Sequence, residues 1–270
     1  VGIALLGCVL ILLAADTRRS AADPGTELLP DLVTLPMPAV VMPRHPKRDL
    51  LRLSNEIGNQ GAGPLEIFPS DVSENCDGDG DPDNDRMAYQ RIYNDSSDPD
   101  SIGFFDRNAD TAGATERQAG CMIFHPQHNH WHFDNFSRYR LYREDTGRLV
   151  ARNAKVSFCV IDSDTPFPTP HPGHPTLPYF PTDQGCTATA TEGLSIGWAD
   201  IYGYYLPGQQ LNVSGVKKGN FCLVSTADPH DQLSESNENN NTYWTRLFVY
   251  PKDRTVRTLK GSCKIPGPIS

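Results

Sequence analysis

The sequence predicts a mostly β protein, with a β-sandwich core, long irregular loops and little helix. Three observations point there. Apolar and polar residues alternate over short runs, Gly (22) and Pro (23) punctuate those runs, and stripes of helical period are scarce. At 270 residues the chain has ample material for a core. Its formal net charge of −9 disfavours nucleic acid and anionic membrane, either of which would need a basic patch. The same charge mildly favours cationic partners such as amines or lysine-rich surfaces.

The first apolar run, Val1 to Ala15, has the length of a signal-peptide core and is too short for a relaxed membrane span. Residues 1–22 therefore read as a signal peptide or N-terminal hydrophobic leader, and the protein is expected to be secreted, or retained at the membrane by that segment. Leu5-Leu6-Gly7-Cys8 imitates a lipoprotein box, but the apolar run continues past it. Six further cysteines (Cys76, Cys121, Cys159, Cys186, Cys222, Cys263) are an even set in an exported chain, which points to disulfides. Residues 23–48 form a Pro-rich linker, and residues 49–263 read as one domain.

Asp49 to Ile57 alternates as a strand, and Gly58-Asn59-Gln60-Gly61 is expected to turn it into a second strand, Pro64 to Phe68. The acidic loop Cys76 to Asp85 places carboxylates at alternate positions between glycines, as a calcium loop does. The EF-hand pattern fails at Pro82 and Ala88, so the stretch reads as solvated and flexible. Met87 to Tyr93 is a strand, and Met122 to Tyr142 carries the histidine cluster and then Phe136 to Tyr142, a strand with aromatics on it. A turn at Glu144 to Gly147 leads to its hairpin partner, Leu149 to Ile161. His171 and His174, in the Pro-rich loop from Thr165 to Pro181, read as surface residues. Cys186 to Gly203 shows no period and reads as an ordered loop. Gln209 to Val213, Gly219 to Thr226 and Thr242 to Tyr250 are strands, with an Asn-rich turn from Leu233 to Thr242 and a frayed tail to Cys263.

Four of the eight histidines fall between His125 and His132. In an extended strand His128, His130 and His132 share one face while Trp131 and Phe133 point into a core. Three imidazoles converging in this way suit copper or zinc. His125 stands outside the alternation, broken by Pro126-Gln127, and is expected behind the ligands.

The order of motifs resembles the lysyl oxidase catalytic domain. The likeness runs through Leu50-Leu51-Arg52, Asn59-Gln60-Gly61, His128-x-His130-x-His132, Phe136-Ser137-x-Tyr139 and Lys155-x-Ser157-Phe158-Cys159. It continues through Cys186-Thr187-Ala188, Gly193-Leu194-Ser195, Asp200-x-Tyr202-Gly203, Glu235-Ser236 and Asn240-Asn241. The resemblance implies a copper amine oxidase whose lysine tyrosylquinone (LTQ) cofactor is a cross-link of Lys155 to Tyr202, formed where Cu(II) opens the phenol to oxygen. His128, His130 and His132 would bind copper, and Asp200 would act as base or hold the cofactor ring. The substrates implied are O2 and a primary amine, including lysine of a protein; the products are aldehyde, hydrogen peroxide and ammonia. Asp31, the Leu32 carbonyl, Glu235, Asn237, Asn240 and Asn241 match a calcium site of the family, all oxygen donors as a hard cation requires.

Departures accompany the likeness. Gln127 stands where the family often has cysteine, so Cys186 needs another partner, and Cys159 is the nearest candidate. Ala154 and Thr189 replace histidines that animal members carry near the cofactor, which suits a microbial secreted member. Two other readings of the histidines are a zinc hydrolase with Asp134 as base, and a non-enzymatic copper-binding extracellular β module.

Overall fold

The computed structural model describes residues 25–80, 84–127, 129–153, 156–167, 173–182, 186–187 and 191–265. The described residues form strands and no α-helix. In order these are β1 (Glu27–Leu28), β2 (Leu32–Thr34), β3 (Val40–Val41), β4 (Leu50–Leu53), β5 (Asn55–Asn59) and β6 (Leu65–Ser73). Then come β7 (Asp85–Asn94), β8 (Thr115–His125), β9 (His130–Arg143), β10 (Leu149–Arg152), β11 (Val156–Phe158) and β12 (Glu192–Leu194). The last are β13 (Ala199–Tyr202), β14 (Gln210–Asn212), β15 (Gly219–Ala227), β16 (Thr242–Tyr250) and β17 (Thr255–Thr258).

One 11-stranded antiparallel sheet runs β12-β6-β7-β8-β9-β15-β16-β17, with β1 on β7 and both β10 and β11 on β9. Two three-stranded sheets, β13-β5-β2 and β14-β4-β3, pack against it. The core lies between these layers. Phe133, Phe136, Tyr139, Leu141, Leu223 and Leu247 of the large sheet meet Leu32, Leu51, Leu53, Ile57 and Leu211 of the small ones. Burial of this kind is the main stabilising term, at roughly 25 cal/mol per Å² of apolar surface.

Polar side chains cross the same seam. The buried Tyr139 hydroxyl donates to Gln209 Oε1 (3.0 Å), while Asn55 donates to Ser137 Oγ (3.2 Å) and accepts from Ser225 Oγ (2.7 Å). Such bonds set which small strand sits opposite which large one, because a partner lost in the core leaves a desolvated group behind.

Several expectations need correction. The run from Asp49 to Ile57 breaks at Ser54 into β4 and β5, which belong to different sheets. The turn at Gly58 to Gly61 does not make a hairpin. Asn59 Oδ1 accepts the N–H groups of Asp31 and Gly61, and its amide donates to Gly63 and Leu194, so its side chain fills the place of a ladder. The aperiodic stretch after Cys186 holds two strands, β12 and β13; β12 is buried throughout, so no alternation marks it. The tail adds β17, and the stretch read as a linker contributes β1 to β3. The disulfides are Cys76–Cys121, Cys159–Cys186 and Cys222–Cys263; the second is the pairing expected from the missing cysteine at Gln127.

Gly193 shows why one motif position must lack a side chain. A Cβ there would lie 2.0 Å from the Leu65 carbonyl oxygen and 2.9 Å from the Phe180 ring. Backbone cannot yield as a flexible side chain can. Gly193→Ala is expected to lower unfolding free energy by about 1–3 kcal/mol in denaturant titration; unchanged stability would show that β12 can move off β6.

Candidate active site

β8 and β9 form a hairpin in which His125 pairs with His130 and Ile123 with His132. The Nε2 atoms of His130 and His132 lie 2.9 Å apart, and the His125 ring centroid is 4.2 Å from that of His132. Two nitrogens at right angles on one ion, each about 2.05 Å from it, would be separated by about 2.9 Å; at tetrahedral angles the figure is about 3.3 Å. The pair therefore fits a square, copper-like arrangement. The same spacing also suits an N–H···N hydrogen bond in one tautomer.

The strand presents His130 and His132 together. Asn129 has φ 57°, a left-handed conformation just before His130. His128, the third expected ligand, lies outside the described residues. His125 adds a further imidazole beside His132, with ring centroids 4.2 Å apart. Trp131 and Phe133 are buried, as the alternation predicted.

Tyr202 ends β13 and packs where β11 meets β9. Its ring stacks on Phe158 (centroids 3.8 Å, planes 15° apart), and Phe158 pairs with Phe133, next to His132. The phenol accepts the Cys159 N–H and donates to the Cys159 carbonyl, both at 3.0 Å. Lys155 lies outside the described residues, in the break between β10 and β11.

Asp200 shares the face of Tyr202, two residues before it. Its Oδ1 accepts from Ser163 Oγ (3.3 Å), and its Oδ2 is buried with no hydrogen-bond partner. Glu192, which carries no sequence signal, is fully buried nearby. Its Oε2 accepts the Val160 N–H (3.0 Å), while Oε1 has no partner. Burial holds both carboxyls well above the usual carboxylate range. Burial, reinforced by Asp200 and Glu192, pushes the Tyr202 phenol well above the ordinary tyrosine range. Each of the three thus holds its proton more tightly than the same group in water.

Asp162 organises the same segment. It accepts from the Ser195 N–H (2.8 Å), Ser195 Oγ (2.6 Å) and the Phe180 N–H (3.1 Å), and burial raises it to about 6. His174, expected at the surface, is half-buried and stacks on Trp198 with ring centroids 5.7 Å apart.

The residues expected to hold calcium do meet across the chain. Asn240 donates to Asp31 Oδ1 (2.7 Å), the Leu32 N–H to Glu235 Oε2 (2.6 Å), and Asn241 to Glu235 Oε1 (2.9 Å). Asn240 Oδ1 and Asn241 Oδ1 are buried without partners, as unfilled oxygen ligands would be. Leu32 meets the turn through its N–H, and Asn237 accepts the Asn239 N–H (3.2 Å) within the turn. Asp228 and Glu238, not singled out by the sequence, place carboxylate oxygens within 4.8 Å of Glu235 and of each other.

Glu235 carries a pH signature. Burial, then the charge of Glu238, raises it from 4.5 to about 8. The folded state thus keeps a proton that the unfolded chain releases, and stability from this group is lost as pH rises from 4.5 to about 8. Calcium-free protein is expected to melt at lower temperature toward the upper end of that window, and Glu235→Gln should flatten the dependence. An identical slope in the variant would remove Glu235 from the account.

The lysyl oxidase family model matches residues 105–258, more than half of the chain. Protein-lysine 6-oxidase of Homo sapiens is 34% identical over 119 residues, 44% of this chain and 26% of that protein. Lysyl oxidase homolog 1 of Bos taurus is 33% identical over 143 residues, 53% of this chain and 22% of the homolog. Protein-lysine 6-oxidase of Sus scrofa is 33% identical over 119 residues, 44% of this chain and 43% of that protein. Each alignment spans less than half of the relative. With motifs, fold and family match in agreement, the chain belongs to the lysyl oxidase family.

Proposed function

We propose that this protein is a secreted, copper-dependent amine oxidase of lysyl oxidase type. The reaction is R–CH2–NH2 + O2 + H2O → R–CHO + NH3 + H2O2, with primary amines, including peptidyl lysine, as the substrate class. The observation that carries the reading is the convergence of the His130 and His132 nitrogens at 2.9 Å on β9, the strand that pairs with β11, whose Phe158 stacks on the Tyr202 ring. Copper, held by His130 and His132 with His128 or His125 completing the set, and an LTQ cross-link of Lys155 to Tyr202 supply the redox chemistry when present.

The protein's own groups account for the rest. Phe158 stacks on the Tyr202 ring and fixes its plane, and the Cys159 peptide fixes its hydroxyl. The Cys159–Cys186 disulfide ties that peptide to a second segment, so the ring has a rigid support. Asp200, two residues before Tyr202, is assigned as the base that takes a proton from the carbon beside the substrate nitrogen. Its raised affinity for protons makes it a stronger base once ionised than an exposed aspartate. Burial likewise raises the proton affinity of Glu192, which feels the charge of Asp200. The acidic surface attracts cationic amines over a Debye length of about 8–10 Å.

Peroxide release from primary amines by purified, copper-loaded protein tests the reading directly. Lys155→Ala and Tyr202→Phe are each expected to reduce turnover to background and remove any visible band quenched by phenylhydrazine, with copper content unchanged. His130→Ala is expected to lose copper as well. Turnover retained in Lys155→Ala would refute the cross-link. Hydrolysis supported by zinc, with no oxidation under copper, would favour a hydrolase; bound copper with neither activity would leave a binding module.

A further inference from the structure

We propose that Asp77, Asp79 and Asp85 form a calcium site at the edge of the histidine face, separate from the Glu235–Asn241 turn. Carboxylate oxygens of the three lie within 4.8 Å of one another. Three oxygens no more than 4.8 Å apart all fit within about 2.8 Å of a common centre, so a shift of a few tenths of an ångström lets one calcium ion bind all three at about 2.4 Å.

Proximity of acids alone would describe any solvated loop, and Asp79 is exposed. Asp85 is what distinguishes this one. It is the first residue of β7, its side chain is 0% exposed, and its Oδ1 has no hydrogen-bond partner. Its carboxyl receives a long bond, 3.4 Å, from the Asp77 N–H and meets the Asp77 side chain. The sulfurs of the Cys76–Cys121 disulfide stand within 4.8 Å of the same carboxylate and offer it no proton. A buried carboxylate held this way, with two further carboxylates facing it, needs a counter-charge. The strain is visible in its proton affinity, raised to about 6 by burial and by Asp77. A divalent ion removes the need for that proton. A cleft lined by Cys76, Asp77, Gln118, Asp134 and Gln232 gives an ion access from solvent.

The site's position gives it a role. Asp85 pairs with Ile123, and Ile123 with His132, so the three occupy one cross-strand row on one face. Two strand spacings separate Asp85 from His132, about 10 Å. The ion would pin the loop that follows β6 to the flank of the histidine hairpin. It would thereby order the wall beside the metal centre without joining it.

Titration of calcium into the copper-loaded full chain, stripped of calcium, tests this. Asp77→Asn with Asp79→Asn is the chosen variant, because neither residue is fully buried and the Asp85 packing is left intact. It is expected to lose one calcium per chain, or to weaken one class of site at least about 100-fold, while Glu235→Gln leaves that class unchanged. Calcium is also expected to slow amide exchange across residues 74–87 in the wild type and not in the double variant. Matching thermal unfolding without calcium verifies that the variant folds. A double variant that titrates like wild type, or a wild type with no calcium-dependent protection in that loop, would overturn the proposal.

Discussion

The placement of the candidate cofactor tyrosine depends on how the backbone from Cys159 to Ser163 finds hydrogen-bond partners out of reach of water. A buried peptide group without a partner costs as much as a lost hydrogen bond, so every segment packed here must supply one. Tyr202 serves Cys159, Glu192 serves Val160, Asp162 bonds Ser195, and Ser163 bonds Ala199 and Asp200. Three later segments are thereby registered on five residues. Sliding any one of them would orphan several polar groups at once. The same dependence explains why acids are retained in a core: they act as acceptors, and burial raises their affinity for protons.

That arrangement joins the histidine hairpin through ordinary strand pairing. β11 lies on β9, and the aromatic ladder of Phe133, Phe136, Phe158 and Tyr202 runs between the acids and the hairpin. The hairpin and the Tyr202 ring are thereby linked through packed aromatics. The large sheet puts the His130–His132 pair at the turn end of β9 and the aromatic anchors on the opposite face. This alternation separates a polar histidine face from the core that supports it.

A second constraint ties the ends of the domain together. Pro30 accepts the Ser236 N–H, Leu32 donates to Glu235, and Thr34 donates to the Asn241 carbonyl. The segment before β4 is thus clamped by a turn more than 200 residues later, and the unpaired oxygens of Asn240 and Asn241 sit in that clamp. Among the described residues, oxygen-rich clusters occur at this turn and at the start of β7.

The strands with an exposed face were legible because alternation records a half-buried strand directly: β7, β9, β15 and β16 fall where their patterns put them. The histidine motif, the Tyr202 and Asp200 spacing and the cysteine left without its usual partner were likewise readable from residue type and order. Short buried strands such as β12 were not, since both faces are covered and no period survives. Nor could spacing reveal that Asn129 turns the backbone left-handed just before His130, that Glu192 is buried beside Tyr202, or that Asp85 differs from its acidic neighbours. Residue order by itself determined the class of fold and the chemistry of the groups available. Tertiary structure alone decided which acids lose their water and which imidazoles meet, because burial and cross-strand neighbours are set by contacts between segments far apart in the chain.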